Sequence, residues 1–277
     1  MKISQVFLDY LKGLSESRLM LRSPGALLPF VVYAAILALM LFALAFFLVP
    51  PMSSLMVPVV KAIGGERALH YPMHLILLPD MYYVLYLPLT ALVGFVLFGS
   101  AVFHMADAFQ REGATMDARS PFARAIPAML IIGLVYVFAA SAPNMTASWL
   151  GTLVENPRLT GLITLAGILA SLGLQSLLIY APMFVRTESR GARGALRRSI
   201  KYARTRFTQT AMVLLTVVLI HQPIDYLLRQ PDKVVLKFRP ELVIYLLIAG
   251  IVIELATTYL LFSATTGMAL SRREDSF

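Results

Sequence analysis

Six stretches of this 277-residue chain run more than twenty positions with almost no charge, and the polar residues gather between them. A helix rises about 1.5 Å per residue, so about 20 apolar residues cross the roughly 30 Å hydrocarbon core of a bilayer. Trimmed at turn residues, the runs predict spans near 26–49, 83–108, 126–148, 160–184, 207–228 and 242–270. The first is far longer than the roughly 7–15 apolar residues of a cleavable signal, and it reads as a retained span. Pro88, Pro127 and Pro143 fall inside runs, where neighbouring groups must satisfy the freed carbonyls and kinks are expected.

Two shorter patterns have helical period without the length to cross. In residues 1–23, Val6, Phe7, Tyr10, Leu11 and Leu14 share one face while Lys2, Asp9, Lys12 and Glu16 lie elsewhere, which predicts an interfacial amphipathic helix. The longest connection, 51–81, carries a stripe of Met52, Leu55, Met56, Val59, Val60 and Ile63 before Gly64 and Gly65. That piece is expected in the interface or dipping back into the membrane. The expected fold is therefore all-α and polytopic, with residues 24–277 forming one six-helix transmembrane domain.

Composition agrees. Apolar residues make up 58% and charged residues 14%, against about 25% charged in soluble domains, so the chain cannot cover itself in water. The absence of cysteine excludes disulfides, thiolate metal sites and cysteine nucleophiles. The pieces outside the spans are too small for a soluble catalytic domain.

Charge placement gives orientation. Of the 24 basic residues, 17 fall in the N-terminal segment, the second and fourth connections and the tail, and 7 in the alternate connections. Lys and Arg accumulate in cytoplasmic segments, so both termini are expected inside. Tyr82, Tyr83 and Trp149 fall at expected outer ends, where amphipathic rings favour the interface. An Arg22-Ser23-Pro24-Gly25-Ala26 segment before the first span is echoed by Arg119-Ser120-Pro121-Phe122-Ala123 before the third. The echo reads either as three helical hairpins in parallel repeat or as the ordinary preference of proline for a first helical turn.

The densest charge lies in the fourth connection, where Arg186, Arg190, Arg193, Arg197, Lys201 and Arg204 recur at steps of three and four, with Arg198 beside them. Ala192, Ala195, Leu196, Ser199, Ile200, Ala203 and Phe207 take another face. The pattern predicts one basic amphipathic helix over 186–206. It fits contact with anionic lipid headgroups, docking of an acidic protein partner, or a solvated loop whose charges set topology. No DNA- or RNA-binding motif accompanies the charge, so nucleic acid is not an expected partner.

Glu254 stands near the middle of the last span. A carboxylate there costs on the order of 3 kcal/mol on insertion scales, so it is expected to face the interior and find a partner or a proton. Thr257, Thr258, Gln175, Ser171 and His221 are the candidate companions. The group reads either as a carboxyl hydrogen-bonded between helices or as part of a proton, cation or substrate site.

Glu66, His70 and His74 have the spacing of metal ligands on one helix, but Pro72 would break that helix and no metal site is expected. His104 and Asp107 sit one turn apart and can pair. No phosphate-binding glycine loop, zinc motif or nucleophile triad is present, so no catalytic residue or cofactor is indicated.

Glu188-Ser189-Arg190-Gly191-Ala192-Arg193-Gly194-Ala195-Leu196-Arg197-Arg198-Ser199, followed by Thr205-Arg206-Phe207 entering a span, resembles the hallmark of a group of six-span bacterial membrane proteins. That group includes the membrane domain of glycerophosphodiester phosphodiesterases and the YciC-like proteins, in which an Ala-Leu-x-x-Ser basic helix precedes the fifth span. The resemblance implies a bacterial inner-membrane helical protein with no catalysis in this region. The soluble phosphodiesterase domain has no counterpart in this chain. Three functions fit: a non-enzymatic protein contacting lipid or a partner in membrane organisation or lipid-linked transport, the membrane subunit of an ABC-type transporter served by a separate ATPase chain, and a secondary transporter using Glu254.

Overall fold

A computed structural model describes residues 24–111, 122–154, 156–188 and 191–274. The expected interfacial helix of residues 1–23, the 112–121 connection and Arg190 lie outside them, as do Arg22, Ser23 and Arg119 to Pro121 of the proposed repeat.

Among the described residues the chain is all-helical, with no strand. The helices are α1 (Pro24–Ala45), α2 (Met52–Gly64), α3 (Met73–Leu89), α4 (Phe95–Arg111), α5 (Phe122–Thr152), α6 (Pro157–Leu178), α7 (Ala181–Glu188), α8 (Ala192–Thr205), α9 (Phe207–Leu228), α10 (Pro231–Lys237) and α11 (Leu242–Glu274). Six stretches are long and apolar enough to cross a membrane: Gly25–Ala45, Met73–Ala108, Phe122–Thr152, Pro157–Thr187, Phe207–Leu228 and Leu242–Leu270. The protein is a multi-pass, all-α membrane protein.

The second span differs most from expectation, beginning at Met73 rather than near 83. Pro79 and Asp80 look like turn residues in the sequence, yet α3 carries both. A 36-residue helix is about 54 Å long against a core of about 30 Å, so its first turns need not be apolar. Pro88 has no N–H to give the carbonyl one turn back, and after Leu89 the five residues Thr90–Gly94 wind as a π turn before α4 resumes.

The described helices form two compact units. The first is drawn from residues 24–29, 90–216 and 259–274, and the second from Phe30–Leu89 and Val217–Thr258. In the first unit α5 and α6 form a hairpin in close contact. Asn156 caps α6 by accepting a hydrogen bond from the Arg158 amide at 3.0 Å, with Pro157 at the first helical position. Lipid supplies no hydrophobic drive between apolar helices, so small residues that admit close approach matter. A Cβ on Gly167 would lie 2.6 Å from Ala147 Cβ, and one on Gly133 would collide with the Ala91 carbonyl oxygen. Near Pro143, the Ala140 carbonyl accepts hydrogen bonds from Ser171 at 2.7 Å and from Asn144 at 3.1 Å.

In the second unit the long connection is built rather than open. Helix α2 buries Val60 and ends at Gly64, where a Cβ would lie 2.6 Å from Ala68 Cβ. Gly65 turns the chain at φ 70°, in the left-handed region that favours glycine. A short 3₁₀ turn, Glu66–Leu69, leads to Pro72 and the start of α3. Helix α10 packs on α3, burying Val234 and Val235.

Candidate functional site: a basic helix and intramembrane polar pairs

The expected basic helix over 186–206 is two helices. Helix α7 ends at Glu188, and α8 starts after Gly191, whose extended backbone (φ −62°, ψ 167°) breaks the run. Arg186 belongs to α7 and is not part of the basic face. Only 6% exposed, it pairs through Nη2 with Asp107 Oδ1 at 2.6 Å and lies 5.2 Å from the centre of the Phe103 ring. Its inclusion among lipid-contacting residues is therefore corrected. Regular spacing of arginines continued across a helix break that periodicity does not reveal. Asp107, spaced to pair with His104, pairs with Arg186, and exposed His104 lies against Gly25.

Helix α8 divides by face. Arg193, Arg197, Lys201 and Arg204 are exposed, and at about 100° per residue they fall within an arc of about 80°. Ala192, Ala195, Ser199 and Ala203 are buried on the opposite side. Ser199 donates to the Leu177 carbonyl at 2.7 Å, meeting an acceptor that the end of α6 leaves without an intrahelical donor. Tyr202 donates to the Met268 carbonyl at 2.7 Å and sets its ring 4.8 Å from that of Tyr180, whose hydroxyl bonds Thr210 at 2.7 Å. Arg198 is exposed beside the stripe with its guanidinium 6.0 Å from the Phe184 ring. Among the described residues, Arg193, Arg197, Lys201 and Arg204 form no ion pair.

The expected intramembrane polar residues are distributed over both units. Gln175 belongs to the first unit, accepting from Tyr136 at 3.1 Å and donating to Ser171 at 2.9 Å. In the second unit, Tyr86 donates to Glu254 Oε1 at 2.5 Å, and His221 Nε2 lies 2.8 Å from Thr257 Oγ1. Thr257 also bonds the Ile253 carbonyl at 2.7 Å and the Glu254 carbonyl at 3.3 Å. Thr258 is half-buried.

Tyr86 is the functional candidate that sequence reading missed. The cue was the run Tyr82, Tyr83 and Tyr86, of which the first two are expected in an outer aromatic belt. With α3 starting at Met73, these rings stand about 14 Å or more along the helix. Tyr82 and Tyr86 stack with centroids 6.0 Å apart. Trp149 is 62% exposed near the end of α5.

Glu66, His70 and His74 do not converge. Glu66 pairs with Lys61 at 2.7 Å, His74 sits between the Phe47 and Tyr71 rings, and no group of three potential ligands is placed for a metal among the described residues. Outside the spans, Tyr71 donates to Glu241 at 3.4 Å, and loss of hydration together with that carboxylate raises its pKa. No family model, curated protein or solved structure matches the chain.

Proposed function

We propose that the protein is a bacterial cytoplasmic-membrane protein, with both termini inside, that holds anionic lipid headgroups on α8 in membrane organisation or lipid-linked transport. The observation that carries this reading is the split of α8 into an exposed stripe of Arg193, Arg197, Lys201 and Arg204 and a buried small-residue face. Four exposed cations, with no ion-pair partner among the described residues, are held on one face of a docked helix. The excess of basic residues in alternate connections supports placing this helix on the cytoplasmic side, where anionic lipid faces it.

The likeness to six-span bacterial proteins supports the same reading. Its Ala-Leu-x-x-Ser element corresponds to Ala195, Leu196 and Ser199, and Ala195 and Ser199 are fully buried against the bundle. In this reading the motif docks the helix and the arginines around it meet the ligand.

Each basic residue near an anionic surface contributes roughly 1 kcal/mol, and about 1.4 kcal/mol is tenfold in an equilibrium. Replacing Arg193, Arg197, Lys201 and Arg204 by Gln is therefore expected to lower enrichment of anionic over zwitterionic lipid by at least about tenfold. The check is mass spectrometry of lipid retained on the protein purified in mild detergent. Unchanged enrichment in folded protein rules out the lipid contact, and loss of a co-purifying acidic protein instead assigns the stripe to a protein partner.

A further inference from the structure

The second unit holds a polar array that lipid contact does not use. The His221–Thr257 contact fixes the register of the outgoing α9 against the returning α11. From it, Asp225 lies one turn along α9 and Glu254 three residues back along α11. Those steps are about 6 Å and about 4.5 Å in the same direction, so the two carboxyls stand within about 1.5 Å of one level. Asp225 lies three residues from Leu228, the end of the α9 span, whereas Glu254 is near the middle of α11. Glu254 is about 18 Å from Leu242 and about 24 Å from Leu270, the ends of its span.

The groups facing this level come from three helices. Helix α9 supplies His221 and Asp225, and the turn that follows it supplies exposed Arg229; α3 supplies Tyr82, Tyr83 and Tyr86; α11 supplies Glu254 and Thr257. Asp225 interacts electrostatically with His221, Arg229 and Glu254, Tyr82 with Glu254, and Tyr83 with Asp225 and Arg229. Further out, Asp232, Lys233 and Lys237 lie on α10, which packs against α3.

The charges do not balance. Arg229 interacts with Asp225, while Glu254 has a tyrosine hydroxyl for its hydrogen-bonded neighbour and no salt bridge among the described residues. An unpaired carboxylate deep in a bilayer is costly, and such groups mark ion or proton sites. A metal ion would need several converging ligands, and no group of three is placed for one among the described residues.

We propose that Glu254, with Tyr86 and Asp225, forms an intramembrane proton-binding site reached along Asp225 from the Arg229 end of the helices. The proton forms an O–H bond at Glu254 Oε2, and Oε1 continues to accept from Tyr86. Asp225, placed between Arg229 and Glu254, lines the approach. The Arg229 end is the outer surface under the orientation proposed above, but binding itself does not depend on that orientation or on the lipid contact.

The test is an infrared titration of the full chain in phosphatidylcholine nanodiscs, following the carbonyl stretch of a protonated carboxylic acid from acid to alkaline pH. The wild type is expected to show a reversibly titrating band that disappears in Glu254→Gln and is shifted in Asp225→Asn. Tyr86→Phe, which leaves the carboxyl in place, is expected to move the band to higher frequency by removing the hydrogen bond. A carboxyl signal that never titrates, or one unchanged in Glu254→Gln and Tyr86→Phe, overturns the proposal. Loss of the band on adding sodium chloride at fixed pH also overturns it, because the site would then be a metal-cation site. Unfolding of each variant is followed in parallel, and if Glu254→Gln does not fold, the Tyr86→Phe shift decides.

Discussion

Arg186 and Arg193 are seven residues apart, in the same basic run, and live in opposite environments. The first is buried, paired with Asp107 and covered by Phe103, while the second is exposed with no ion-pair partner among the described residues. The difference is that they lie on two helices, one ending at Glu188 and the next starting after its N-cap Gly191. A buried arginine with a carboxylate partner fixes structure. An exposed stripe of arginines costs the fold little and remains open to a ligand. Charge density in the sequence therefore marks a region, and the helix break within it separates the buried, paired cation from the exposed ones.

The sharpest way to break that comparison is Arg186→Gln. Removing one member of a fully buried pair costs about 3–5 kcal/mol, and exposed pairs are worth about 0–1 kcal/mol. Asp107 is 39% exposed, which lets water take up part of the loss. Destabilisation of about 2 kcal/mol is expected in equilibrium unfolding in detergent. An effect below about 0.5 kcal/mol would place Arg186 with the exposed stripe after all.

What the sequence could and could not tell follows from the range of each interaction. The apolar runs report directly on bilayer thickness, so six spans and an all-α fold were legible from 20-residue windows. The faces of α8 were legible too, because residues 192–204 obey one helical period. Arg186–Asp107 was not, since its members are 79 positions apart and no local pattern couples them. Tyr86–Glu254, 168 positions apart, was hidden in the same way. Glu254 announced itself by its cost, but its partner depends on which residues of another helix share its depth. The start of α3 was misread because a long helix tolerates Pro79 and Asp80 beyond the hydrocarbon core.

Ser199→Ala tests the other half of the comparison, the docked face of α8. The hydroxyl is fully buried and serves the Leu177 carbonyl at 2.7 Å, so its loss removes one hydrogen bond and leaves that acceptor unmet. About 1 kcal/mol of destabilisation is expected. Arg197→Gln, two residues earlier on the exposed face, is expected to stay within about 0.5 kcal/mol. Equal effects from the two would mean that α8 is not docked by its small-residue face.

The smallest effect is expected where a hydrogen bond exists but burial does not. Tyr71 donates to Glu241 at 3.4 Å and is 63% exposed, so water replaces the contact readily. Tyr71→Phe should leave unfolding unchanged at neutral pH, although the pair links residues 170 positions apart. Its pH dependence has a definite sign. The folded pKa of the hydroxyl is raised, so its titration leaves stability untouched below the ordinary tyrosine value of about 10. Stability falls as the pH climbs from there through the folded value, because the unfolded chain gives up the proton first. Unfolding measured across the alkaline range should therefore fall more steeply in wild type than in Tyr71→Phe, and the two should coincide below it. A gap between them at neutral pH would show that an exposed, long hydrogen bond stabilises this membrane fold, and exposure would no longer be the property that separates Arg193 from Arg186.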